Sequence, residues 1–349
     1  MKYLPTLAAV CLLIVPSVAS AQRQPLTPNP NPVGHTITVD TMHWYNWGDE
    51  HDRFSNSGTI NINFGSKLKN ETDLTNWATL TNETTGVINN HGEFENSMFF
   101  PGSFAVLEND GTLTNFAGGT LHNYGNLTNK SGGTLNNNGG GTLTIYLGGL
   151  YNGGTLNNNG LLNIEGGGFT NDGTLINNGT INNPVNPLFI NRGRLDCDGK
   201  IIGSLNDYGV TSPGEGEGAG VMTIDGDYFK VAGSKEIKLA GLYDYDRIDV
   251  TGNVELAGTL DVKLVDGFEL HRGNWFDFLT VGGTLTGQYD GLGEGDLVGN
   301  FGGQDLFITY GGMGDGGGVA LFTNAVPEPT TVLIWSMLAG LGMTVRRRR

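Results

Sequence analysis

Three sets of residues in this sequence have the types and spacing to do chemistry. His43, Asp49, Glu50, His51 and Asp52 form a polar cluster beside Trp44, Tyr45 and Trp47. Two imidazoles and a carboxylate suit a transition metal, and the rings could stack on sugars. The simpler reading has the aromatics sealing the open end of a fold while the charges face water. Asp244, Asp246 and Asp249 have the oxygen ligands Ca²⁺ takes, yet the Gly-x-Gly-x-Asp nonapeptide period of Ca²⁺-binding rolls is missing. The third set is chemistry done to the chain. Ala19-Ser20-Ala21 offers a small-x-small peptidase site, and Pro327-Glu328-Pro329 stands before an apolar run that ends in Arg346, Arg347, Arg348 and Arg349.

No G-x-S-x-G, H-E-x-x-H or P-loop occurs. Enzymes that cleave polysaccharides on β-helices gather Asp, Lys, Arg or His on one face. Between Leu107 and Pro184 the only charged residues are Glu108, Asp110, Lys130, Glu165 and Asp172, and none recurs at a fixed spacing. The chain is therefore expected to be non-catalytic, with no cofactor or metal site. The alternative is a secreted polysaccharide-acting β-helix enzyme whose site lies in the N-terminal region or the C-terminal module.

The elements that would position these residues follow from composition and repeats. Glycine supplies 58 of 349 residues, only 15% are charged, and the net charge is −16. Such acidity disfavours nucleic acid and anionic lipid as partners. From Leu74 to about Leu195 one phrase recurs: an aliphatic residue, any residue, then Asn. Examples are Leu74-Thr75-Asn76, Leu80-Thr81-Asn82, Leu113-Thr114-Asn115 and Leu127-Thr128-Asn129. Successive starts lie mostly 6 to 8 residues apart, with an interruption around Pro101. That step is too short for a strand plus hairpin turn and too long for a helix. It predicts an all-β, right-handed parallel β-helix or solenoid, with three steps per coil of roughly 20 residues and about seven coils over 58–200. Gly would turn the corners, and Asn would stack on its counterpart one coil away as a hydrogen-bonded ladder. Asn70, Asn82, Asn126, Asn129 and Asn178 also stand in N-x-S/T sequons, which such repeats create almost automatically.

Both ends read as addresses. Residues 1–21 have Lys2, an apolar run from Leu7 to Val15, Pro16 and then the Ala19/Ala21 site, which marks a signal peptide cut before Gln22. Cys11 leaves with it, so Cys197 is alone in the mature chain. At the other end, Thr330 to Val345 would reach about 24 Å as a helix, just short of a ~30 Å hydrocarbon core. The arginines would hold its end on the cytoplasmic side. Length and charge fit either a permanent single-span anchor or a transient one.

Pro-Glu-Pro, a short hydrophobic helix and an arginine cluster, in that order over 326–349, resemble the PEP-CTERM sorting signal of Gram-negative bacteria. The resemblance implies cleavage near Pro327, Glu328 and Pro329 by an exosortase. It also implies a destination at the cell surface, outer membrane or extracellular matrix, with exopolysaccharide or other matrix components as partners. Membrane contact would be through the C-terminal helix alone. A second likeness covers about 100 residues. Ser212-Pro213-Gly214, Gly226-Asp227-Tyr228, Tyr245-Asp246-Arg247-Ile248-Asp249-Val250-Thr251-Gly252, Gly258-Thr259-Leu260-Asp261-Val262 and Gly267-Phe268 are similar to the C-terminal passenger module of autotransporter-like adhesins. This likeness implies a β-rich cap that continues the solenoid. The expected layout is signal peptide 1–21, Pro-rich segment and cap 22–57, Asn/Gly-rich repeats 58–200, adhesin-like module 201–325 and sorting signal 326–349. The expected role is that of an exported structural or adhesive protein.

Overall fold

Side chains of an extended strand alternate between its faces, so the second and fourth positions of Thr-Leu-x-Asn point the same way. In Thr155–Asn158 those positions are buried and the first and third partly exposed. The same alternation recurs in Thr134–Asn137, Val106–Asn109 and Thr120–Asn123. Each of these four strands thus offers one aliphatic residue and one Asn to the interior.

The computed structural model describes residues 24–25, 31–32, 36–39, 43–46, 54–56, 59–62, 67–70, 73–76, 78–99, 103–184, 189–312 and 317–323. These short strands are laid on three sheets in rotation. Lys67–Asn70 joins the first face, Asp73–Asn76 the second and Thr79–Asn82 the third. The chain then returns to the first face as Val87–Asn90, parallel to Lys67–Asn70 and in register with it. Among the described residues the sheets have 12, 14 and 12 strands. Between Thr59 and Ile202 each face receives seven strands, the number that the repeat spacing predicts. The chain is an all-β solenoid of stacked parallel strands, and no helix occurs among the described residues.

The core is a column of second-position residues. Leu113, Leu135, Leu156, Leu175 and Leu195 succeed one another on the first face, all at most 1% exposed. On the third face Phe169 and Phe189 stack with ring centroids 4.8 Å apart. Each such side chain contributes about 1.5–3 kcal/mol by burial. Corners are closed by glycine where coils touch. A Cβ on Gly148 would lie 1.6 Å from the Gly125 carbonyl oxygen, so no larger residue fits there. The interruption near Pro101 is a small antiparallel pair, Met98–Phe99 with Ser103–Phe104, extruded at one corner. Its flanking strands, Glu93–Asn96 and Val106–Asn109, keep their places on the second and third faces.

The sheets run on without a break beyond residue 200, through Ser234–Leu239, Arg247–Val250 and Val254–Leu256. What changes is the core chemistry, because no Asn occupies the fourth inward position there. The second face is finally extended by three antiparallel strands, Gly318–Thr323, Gln304–Thr309 and Leu297–Phe301. The first and third faces end at Thr259–Leu264 and Leu285–Gly287.

Candidate functional site

The fourth-position asparagines form three internal ladders. On the first face each Nδ2 donates to Oδ1 of the next coil: Asn70 to Asn90, then Asn115, Asn137, Asn158 and Asn177, at 2.7–2.9 Å. On the third face the run is Asn82, Asn109, Asn129, Asn152, Asn171 and Asn191, at 2.7–2.8 Å. The second-face ladder is short, Asn76 to Asn96 to Asn123, and Ile145 and Ile164 then take over its position.

All these amides point the same way, for a local reason. The same Nδ2 also faces the carbonyl of the first residue of the next face's strand one coil on, as Asn90 faces Thr120 and Asn137 faces Leu161. Only one amide orientation puts hydrogens toward both acceptors. Each ladder is therefore a line of parallel dipoles with its positive end toward the C-terminus, and such chains strengthen one another. At the start of the third ladder Asn82 Oδ1 is buried without a partner among the described residues. Its register partner one coil earlier is Ile62.

The positive ends meet acceptors. Asn177 donates to the Cys197 thiol sulfur at 3.4 Å. Cys197 is buried and unbridged, and burial pushes its thiol up from its ordinary value. The third ladder ends on a charge: Asn191 Nδ2 donates to Asp207 Oδ1 at 2.8 Å. Asp207 Oδ2 accepts from Lys230 Nζ and from the Tyr228 hydroxyl, each at 2.9 Å, and from the Thr211 hydroxyl. Asp207 and Lys230 hold the same position on consecutive coils and are both 0% exposed. Lys230 also donates to the carbonyls of Gly209 and Ser234. Burial lowers its pKa while Asp207 opposes the fall, and burial beside Asp207 drives the Tyr228 phenol well up.

One further lysine enters this core. Lys235 lies over the Tyr228 ring, 4.8 Å from its centroid. Its Nζ is fully buried and has no hydrogen-bond partner among the described residues. Burial brings it down to about 7, with Asp207 pulling the other way and Lys230 adding to the fall. Nearby, Lys238 Nζ donates to Ser212 Oγ and to the carbonyls of Pro213 and Gly216, which pins the glycine-rich loop. Asp246 takes the backbone N–H groups of Gly220 and Lys238, and burial pushes it up to about 7.

The residues singled out in the sequence do not join this cluster as a set. Asp246 is buried in it, Asp244 is exposed in a loop, and Asp249 lies on the outer side of its strand, where it accepts from Thr280. They do not converge. His43, Trp44 and Tyr45 belong to strand His43–Asn46 of the first face. Trp47, Asp49, Glu50, His51 and Asp52 lie outside the described residues. So do Ala19, Ala21, Pro327, Glu328, Pro329 and Arg346 to Arg349. Among the described residues, no three of His, Cys, Asp and Glu are placed to hold a metal ion, and no helix is long and apolar enough to cross a membrane. Lys130, the one cationic residue between Leu107 and Pro184, pairs with Glu108 at 2.7 Å on the surface. Of the five sequon asparagines, Asn70, Asn82 and Asn129 are ladder rungs with 0% exposure. Asn126 and Asn178 stand exposed.

The ladder's direction makes a specific expectation. Replacing Asn129 by Leu removes the donor to Asn152 Oδ1 but leaves Asn109 two carbonyl acceptors, Gly111 and Thr134. The cost is chiefly one orphaned buried acceptor, about 1–3 kcal/mol. Asn126→Leu, three residues away and exposed, should stay within about 0.5 kcal/mol. Equal midpoints for the two variants in urea unfolding would refute the ladder's energetic role. Neither a protein-family model nor a curated protein matches this chain.

Proposed function

We propose that this chain is an exported, non-catalytic structural or adhesive protein of the bacterial cell surface or extracellular matrix. Its C-terminal tag would be cut by an exosortase near Pro327, Glu328 and Pro329. The observation that carries the reading is where the chain invests its polar chemistry. The fourth-position amides of the repeats are turned inward and form ladders between coils. The outer positions of the repeat strands are mostly Thr and Asn, side chains suited to many weak contacts with hydroxylated polymers. The coil is taken as right-handed, the hand that parallel crossovers favour, and the tail as a helix that leaves with processing. Exopolysaccharide or another matrix component is the partner that fits this surface. The acidic surface, at −16 overall, suits solubility outside the cell.

The test is localisation and intact mass of the full chain in an exosortase-bearing Gram-negative host, with and without Pro327, Glu328 and Pro329 replaced by Ala. Wild type should be recovered outside the inner membrane without its arginine tail, and the variant should stay in the membrane fraction. A tail retained in both would defeat the sorting reading.

A further inference from the structure

The donors around the Asp207 carboxylate divide cleanly between its two oxygens. Asn191 Nδ2, at 2.8 Å, and the Gly209 N–H, at 3.2 Å, point at Oδ1. The hydroxyls of Tyr228 and Thr211 point at Oδ2, where Lys230 Nζ also sits at 2.9 Å. A condensation needs this division: N–H groups where negative charge develops on a carbonyl oxygen, and hydroxyl acids at the oxygen that must leave. We propose that Asp207 and Lys230 join as an intramolecular amide, a covalent staple between two coils where the ladders end.

The atoms balance without a co-reactant. Within the ion pair a proton passes from the Lys230 ammonium to Oδ2, giving an amine and a carboxylic acid, the neutral forms that a low-dielectric interior favours. The Nζ lone pair attacks Cγ and forms the C–N bond. The C=O electron pair moves onto Oδ1, which Asn191 and Gly209 hold. The surplus proton on nitrogen passes through the Tyr228 or Thr211 hydroxyl to the Oδ2 hydroxyl group. The Cγ–Oδ2 bond then breaks, Oδ2 leaves as water, and Oδ1 returns to a carbonyl. One water is released, and nothing is oxidised or reduced. The amide keeps one N–H, for which the Gly209 carbonyl, already 2.6 Å from Nζ, is the acceptor at hand.

Two features drive the step in a direction that free amines and acids in water do not take. The fold holds the partners in contact, and well-oriented intramolecular pairs reach effective concentrations of roughly 10⁵–10⁸ M. Both side chains are also 0% exposed, so the water that leaves is not replaced by bulk solvent for the reverse reaction. The partners lie on adjacent parallel strands, Leu205–Asp207 and Tyr228–Lys230, which are already aligned by backbone hydrogen bonds.

The test is peptide mass spectrometry on the denatured, digested full chain, using a protease that spares lysine. The folded wild type should yield a branched product joining the Asp207 and Lys230 segments, lighter by one water than the two peptides together. Lys230→Met should abolish it. Because that variant could fail to fold, Tyr228→Phe is the sharper probe. It keeps the ring and removes only one acid from Oδ2, and should slow the appearance of the branched product after synthesis at least tenfold. Separate, full-mass Asp207 and Lys230 peptides from wild type that is folded by circular dichroism would overturn the amide and leave a plain ion pair. Cross-linking of Tyr228→Phe at the wild-type rate would overturn the hydroxyl's part in it.

Discussion

Asp207→Ala should be among the most damaging single substitutions in the described part of this chain, at about 3–5 kcal/mol. The side chain is small, but five groups depend on it. Lys230 loses the carboxyl group it pairs with in a site with no solvent exposure, and Asn191, the Gly209 N–H, Thr211 and Tyr228 lose the oxygen to which they donate. An ammonium buried without a carboxylate accounts for most of the loss. Asp207→Asn is the informative control. An Asn there would add a seventh rung to the third ladder, so Asn191 keeps its acceptor while Lys230 does not. The double variant Asp207→Asn, Lys230→Met removes both charges, and an ionic pair replaced in this way costs little. Thermal unfolding followed by circular dichroism separates the cases. Asp207→Ala should melt on the order of 10 °C below wild type, and an unchanged melting temperature would remove Asp207 as the keystone of the seam. Recovery in the double variant favours a non-covalent pair; failure to recover favours the amide.

Lys235→Met should act in the opposite direction and stabilise the fold by about 1–4 kcal/mol near neutral pH. The wild-type amine occupies an inward position that holds Leu195 two coils earlier on the same face, and it has no hydrogen-bond partner among the described residues. The groups that act on it are Asp207, Lys230, Cys197 and Asp246, with the Tyr228 ring beneath it. Its folded value of about 7 lies below the ordinary 10.5. Between those limits the unfolded chain holds a proton that the folded chain does not. Wild-type stability should therefore rise with pH across that window, by up to about 1.4 kcal/mol per unit. Below about 7 both states hold the proton and this slope vanishes. The methionine variant lacks the slope, so its advantage should be greatest at and below neutral pH and shrink toward pH 10. Asp246, which also changes charge near 7, is present in both proteins and largely cancels in the difference. Denaturant midpoints that run parallel for the two proteins from pH 7 to 10 would defeat this account.

The repeats declare their architecture because one residue does one job in them. An aliphatic residue and an Asn two places on can share a strand face only in an extended chain, and a 6-to-8-residue step leaves room for a corner. Leu113 with Asn115 and Leu135 with Asn137 were therefore legible as core and ladder. The seam was not. Lys230 and Lys235 sit in polar-looking segments, Tyr228–Lys230 and Ser234–Leu239, where lysine ordinarily faces water. The signal lies in the register: counted from the repeats, Asp207 falls on the fourth inward position of the third face and Lys230 on the next. Opposite charges succeed amides in one interior column, and that pattern appears only once the coils are aligned. The three aspartates around Asp246 mislead for the converse reason. Their proximity in sequence is cancelled by alternation, which turns Asp246 inward and Asp249 outward.

Ladder partners lie anywhere from 19 to 27 residues apart, yet the amides meet at nearly constant distance, because the variation in length is absorbed at corners such as the one that carries the pair Met98–Phe99 and Ser103–Phe104. Through the Asn repeats each coil touches chiefly its neighbours, and the side chains that reach two coils on, Asn178 to Glu215 and Arg194 to Glu236, stand at the C-terminal end of that stretch. A gene for such a rod can gain or lose residues at a bend, or duplicate a whole coil, without disturbing anything two coils away. Its inheritance is a short-range grammar rather than a fixed text, and most coils are interchangeable words. The coil that carries Asp207 is the exception: it is matched to the one that carries Lys230, and it marks where the third ladder stops.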